Sequence, residues 1–183
     1  MAEEQVVVIS TLLQLEKSFR NASSLEELSY LLVNDSRSLI NFRQAALWQI
    51  DTQKIIAVSS LAVIDDNAPY IVYLKDVFKQ LNNSQEKEMR SVTAKELPKN
   101  LAEEWNEWLP ASALWIPLTA YGKPVQAGLF LARDASWNEG ETYLLEHISD
   151  AFGHAWGALN PKKPLWIIGC TRPLLSATTR LLA

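Results

Sequence analysis

Ala113-Leu114-Trp115-Ile116-Pro117-Leu118, a turn at Gly122-Lys123-Pro124, Gly128-Leu129-Phe130-Leu131, then Leu144-Leu145-Glu146-His147-Ile148 and Ala151 form the stretch whose reading decides the fold. Residues 111–121 and 125–133 read as two strands joined at Tyr121-Gly122-Lys123-Pro124, where glycine can take the positive φ that a tight turn demands. Side chains alternate across a strand, so Leu114, Ile116 and Leu118 face one way, and Ala113, Trp115, Pro117 and Thr119 the other. Asn138-Glu139-Gly140-Glu141 supplies a polar cap and a glutamate three residues later, which starts a closing helix. Leu144, Leu145, Ile148, Phe152, Trp156 and Leu159 form its broad apolar face. Pro161 and Pro164 end it.

Upstream, Leu12, Leu15 and Phe19 recur at helical steps from Val8, predicting a first helix that ends near Asn21. Ser24-Leu25-Glu26-Glu27 matches a capping box and opens a second helix carrying Leu28, Leu31, Leu32 and Leu39. Residues 44–51 and 54–63 read as a hairpin around Asp51-Thr52-Gln53. After Asp65-Asp66-Asn67-Ala68-Pro69, the spacing predicts a cross-over helix over 70–81, a short strand over 89–94 and a short helix over 101–109. Helices, hairpin, cross-over, hairpin and helix in that order give an α+β fold, an antiparallel sheet with a helical layer on one face.

In that order of elements, the quoted strands, Gly-Lys turn and closing helix resemble the C-terminal half of a GAF domain. The likeness spans 12–159, and in its first half is carried by element order. It implies a GAF-like sheet with the first and last helices on that face and the cross-over helices on the other. It also implies one regulatory domain over 8–159, with 160–183 as a basic, proline-containing linker and short apolar tail. A length of 183 residues agrees, since compact domains run to about 100–150.

Composition narrows the function. Net charge is −4, which lacks the basic footprint of nucleic-acid binding. Cys170 is the only cysteine, so no internal disulfide can form. The acidic start Met1-Ala2-Glu3-Glu4-Gln5 is unlike a signal peptide. Together these predict a cytoplasmic protein. The GAF-like bilin binders attach their chromophore through a cysteine in the domain or upstream of it, which this chain lacks. The Asn-Lys-Phe-Asp-Glu signature of cyclic-nucleotide GAF domains is replaced by Asn82-Asn83-Ser84-Gln85-Glu86-Lys87. GAF-fold methionine sulfoxide reductases need several cysteines. No Gly-x-Ser-x-Gly elbow or phosphate loop is present, so no enzyme and no cofactor are expected.

The uniform face of Leu114, Ile116 and Leu118 should meet the helical layer, leaving the mixed face toward the chamber where GAF domains hold ligands. Resemblance places Trp48 and Trp115 in that chamber and Arg133 at its rim. Such a site suits a planar or anionic small molecule. The opposing reading is that the tryptophans fill the space themselves. Trp105 and Trp108, three residues apart, form a lid or seal the sheet, with sealing favoured. His147, Asp150 and His154 share one face of the closing helix, yet the histidines are two turns, about 10 Å, apart, too far for one ion. Solvent or interface positions are expected for them.

Gly153-His154-Ala155-Trp156-Gly157, with Ala151 and Ala158, makes part of that helix small. It predicts either packing on the first helix or, as GAF domains pair, a homodimer through the first and last helices. Lys162-Lys163-Pro164-Leu165-Trp166-Ile167-Ile168 resembles a cytoplasmic flank entering a membrane, although Arg172 and Arg180 preclude a complete span. GAF modules so placed occur in membrane proteins resembling type I secretion membrane-fusion adaptors; the alternative is a plain tail on a soluble regulator. The function expected is a non-catalytic GAF module that dimerises and relays a signal to an attached or partner domain, at the inner face of the membrane in one context. The alternative is a small-molecule sensor using the aromatic pocket.

Overall fold

The computed structural model describes residues 2–83, 88–120 and 123–160. The turn residues Tyr121 and Gly122, part of the cyclic-nucleotide comparison region and the tail with Cys170 lie outside them.

The chain opens with helix α1 (Ala2–Asn21), which begins earlier than the predicted Val8, and α2 (Leu25–Asn34). Ser24 caps α2 by accepting from the Glu27 amide, while the Glu27 carboxylate reaches back to the Ser23 amide and hydroxyl, one residue before a standard capping box. A short 3-10 turn, Asp35–Ser38, replaces the predicted continuation of this helix to Leu39. Strands β1 (Gln44–Gln49) and β2 (Lys54–Val58) form the first hairpin. Helix α3 (Pro69–Asn83), β3 (Arg90–Val92) and α4 (Lys99–Trp108) make the cross-over. Strands β4 (Ser112–Ala120) and β5 (Lys123–Arg133) and helix α5 (Glu139–Leu159) complete the domain.

All strand pairs are antiparallel, in the order β2-β1-β5-β4-β3, so the two hairpins meet through β1 and β5. Period-2 alternation divides the core. Ala45, Leu47, Leu114, Ile116, Leu118, Leu129 and Leu131 meet Leu15, Phe19, Leu28, Leu32, Ile148 and Phe152 from α1, α2 and α5. Ala46, Trp48, Ala113, Trp115, Phe130 and Ala132 meet Leu74, Val77, Phe78, Leu101 and Trp105 from α3 and α4. The layers are therefore those the sequence predicts. Pro117, which cannot donate to a ladder, sits past the last β3 pairing at Trp115 and beside a register shift.

Candidate functional site

The mixed face of the sheet gathers one ring from each of five elements. Trp48 comes from β1, Trp115 from β4, Phe130 from β5, Phe78 from α3 and Trp105 from α4, each at most 2% exposed. Phe78 is the hub, its centroid 5.8 Å from Trp48, 5.6 Å from Trp115 and 5.2 Å from Phe130. Trp105 joins Phe130 edge-on at 6.5 Å. These offset and edge-to-face spacings are those of packed rings.

Gly128 explains how Trp115 fits. Trp115 pairs with Phe130, so Gly128 lies diagonally below it, and a Cβ there would meet the Trp115 ring at 2.4 Å. The indole covers the glycine. Trp105 donates its Nε1–H to the Pro110 carbonyl at 2.8 Å, which ties the end of α4 to the loop before β4. Trp108 lies beside Tyr70 and Tyr73 at 6.2 and 6.4 Å and closes the end of the layer. Burial pushes both tyrosine hydroxyls up to about 12, with the Glu104 carboxylate adding to the shift at Tyr73. The Tyr73 hydroxyl thus stays a donor, and it bonds the Leu101 carbonyl at 2.9 Å. Trp48 Nε1 and Trp108 Nε1 are buried with no hydrogen-bond partner, as are the indole nitrogens of Trp137 and Trp156 on the other side of the sheet.

Trp48 and Trp115 therefore come together, but Arg133 does not join them. Residues 129, 131 and 133 share a strand face, which turns Arg133 toward α5. Its guanidinium makes a two-pronged ion pair with Glu141 in the first turn of α5. It also donates to the carbonyls of Asn41, Ala135 and Ser136, and lies 4.0 Å over the Trp137 ring. The fork is occupied by the protein itself. The Arg133 guanidinium and the Asn138 amide hold the Glu141 carboxyl below the usual carboxylate range, against a smaller opposing effect of burial. The rim position expected for Arg133 is thus corrected to a clamp between β5 and α5. Phe78 and Phe130 were not among the expected pocket residues. The shared alternation of Trp115 and Phe130 in paired strands was the signal available for the second.

A second surface lies where α1 and α5 run side by side. Gly153 does not face a helix: a Cβ there would stand 1.7 Å from the Thr119 carbonyl oxygen, so this glycine seats α5 on β4. Gly157 likewise faces Ala120. Of the small residues, Ala151, Ala155 and Ala158 do line a groove of about 440 Å³ against Phe19 of α1 and Ala22 just beyond its end. Glu16, Arg20, His147, Asp150 and His154 rim it. Towards the start of both helices the surface becomes apolar, with Val6, Ile9, Leu13 and Tyr143 between 56% and 66% exposed. Among the described residues, no group of three or more His, Cys, Asp or Glu side chains could hold a metal ion. No described helix is long and apolar enough to cross a membrane.

No protein-family model matches the chain, and no curated protein matches it. Solved structures do. A domain of a two-component sensor histidine kinase protein from Sinorhizobium meliloti 1021 superposes with a TM-score of 0.60 at 15% identity, covering 75% of this chain and 94% of its own. The phycocyanobilin-bound GAF domain of a cyanobacterial phytochrome gives 0.57 at 14% identity, covering 83% and 94%. The GAF domain of an Acinetobacter phosphoenolpyruvate-protein phosphotransferase gives 0.56 at 13% identity, covering 82% and 93%. At these identities the likeness is one of architecture: the chain has the α+β fold of GAF domains.

Proposed function

We propose that this chain is a non-catalytic regulatory GAF module that pairs with a second copy along α1 and α5 and relays a conformational bias to an attached or partner domain. The carrying observation is the seam on α1. Val6, Ile9 and Leu13 follow one another at steps of three and four, and more than half of each is exposed, as is Tyr143 of α5. A second copy would bury this stripe. The aromatic layer supports the same reading, because five mutually packed rings occupy the space a ligand would need. Sensor and signalling names among the matched structures agree with a regulatory role. A membrane or transport context, including the resemblance to secretion adaptors, rests on Lys162-Lys163-Pro164-Leu165-Trp166-Ile167-Ile168 alone.

Sedimentation equilibrium tests the pairing. The chain is expected to dimerise, and Leu13→Glu to weaken the dimer roughly 30-fold, about 2 kcal/mol. A wild-type monomer at every concentration overturns the proposal.

A second reading, the small-molecule sensor, is favoured by one observation: among four unpartnered buried indole nitrogens of the described residues, that of Trp48 is the one set within the five-ring cluster around Phe78. It predicts that a planar small molecule with an acceptor atom raises the melting temperature, and that Trp48→Phe removes the rise. A flat screen of nucleotides, haem, amino acids and common metabolites removes its support. Arg133→Ala is unsuited to that test, because the clamp it breaks stabilises the domain with or without a ligand.

A further inference from the structure

The seam on α1 does not stop at Leu13. The next positions at the same spacing are Glu16 and Arg20, so the apolar stripe runs into charge where it passes the α5 groove. Here Glu16 divides its carboxylate. Oε2 lies 3.5 Å from Arg20 Nη1, and Oε1 lies 3.9 Å from His147 Nε2. The second separation is too long for a hydrogen bond, which wants about 2.7–3.2 Å. It is close to what two ligands of one tetrahedral ion need: with metal–ligand bonds near 2.1 Å, their donor atoms stand about 3.4 Å apart.

Resting on the pairing proposed above, we propose that Glu16 and His147 form half of a transition-metal site, completed by the same two residues of a second copy. The chain alone offers only two donors here, in keeping with the lack of any three-ligand group among the described residues. A two-fold axis running along α1 and α5, the parallel form of the proposed pairing, brings the Glu16 positions of both copies to the same level. Two imidazoles and two carboxylates then surround one ion. That set suits zinc, which takes nitrogen and oxygen at four positions, and does not suit calcium or magnesium, which take oxygen in larger numbers. The ion would also relieve the meeting of two Glu16 carboxylates. His147 is half exposed and stacks on Tyr143 at 6.1 Å, so the ring is held at the surface with its Nε2 toward Glu16. His154 and Asp150, 3.6 Å apart two turns further along, lie on α5 only and are off the α1 seam.

The experiment is sedimentation equilibrium of the full chain in EDTA and in zinc chloride, with bound metal measured after dialysis. The expected result is one zinc per two chains and a dimer at least tenfold tighter with zinc, while magnesium chloride changes nothing. His147→Ala and Glu16→Gln should each abolish zinc uptake and the tightening; in EDTA the Glu16→Gln dimer should be at least as tight as the wild type, because the two carboxylates no longer meet. A dimer that is indifferent to zinc overturns the metal site and leaves the pairing standing. Zinc uptake that survives His147→Ala also overturns it. A monomer in both solutions overturns the pairing and the site together.

Discussion

Among the described residues, Arg133 is the one charged side chain that is buried. With 8% of its surface exposed, it joins β5, the loop to α5 and the start of α5 through Glu141 and three carbonyls. Removing one partner of such a pair strands the other charge and several carbonyls. Arg133→Ala is therefore expected to cost about 3 kcal/mol in urea unfolding. The pH dependence has a definite sign. The Glu141 carboxyl is lowered from an ordinary value of 4.5 in the fold, so its contribution is complete above that value. It disappears as pH falls through the lower folded value. The stability gap between wild type and Glu141→Gln should close on acidification below about pH 4.5, measured by chemical denaturation. At this scale the sequence was legible in part: Trp48 and Trp115 share a core, as their strands imply. Arg133 shares its face with Leu129 and Leu131, and strand parity rather than family likeness was the guide to its position.

Between elements, two glycines set distances. Gly153 brings α5 onto β4 closely enough that a methyl group would overlap the Thr119 carbonyl, a backbone atom that cannot rotate aside. Gly153→Ala is expected to destabilise the domain by about 3 kcal/mol, read from the urea midpoint, despite alanine's better helix propensity. Gly128→Ala collides instead with a side chain, the Trp115 indole, and should cost about 2 kcal/mol. Combining it with Trp115→Leu should cost less than the sum of the two single changes, because the smaller side chain vacates the contested space. Additive costs would mean that the indole does not occupy that space. The hydrophobic periods, the Asn138 cap and the position of the hairpins were all legible, since each depends on residues a few positions apart. The small-residue stripe on α5 was legible as close packing but not as to its partner. Two of its glycines serve the sheet, and its alanines serve α1.

At the scale of the whole molecule, the fold leaves an apolar stripe of α1 uncovered. Val6, Ile9, Leu13 and Tyr143 stay exposed while both faces of the sheet are covered. If pairing buries them, it should be insensitive to salt, because the contact is apolar: sedimentation equilibrium in about 0.1 M and 1 M sodium chloride should give dimer constants within a few-fold. A dimer that dissociates in high salt would place the interface on charges instead. The sequence alone determined the α+β class, the order of elements and the face each strand residue takes, because periodicity, caps and turns act over neighbouring residues. Only the tertiary structure decided that Trp48 and Trp115 are packed with Phe78, Phe130 and Trp105, that Arg133 grips α5, and that α1 keeps an open seam. Those outcomes depend on the spacing between elements distant in the chain, which packing sets and local pattern does not encode.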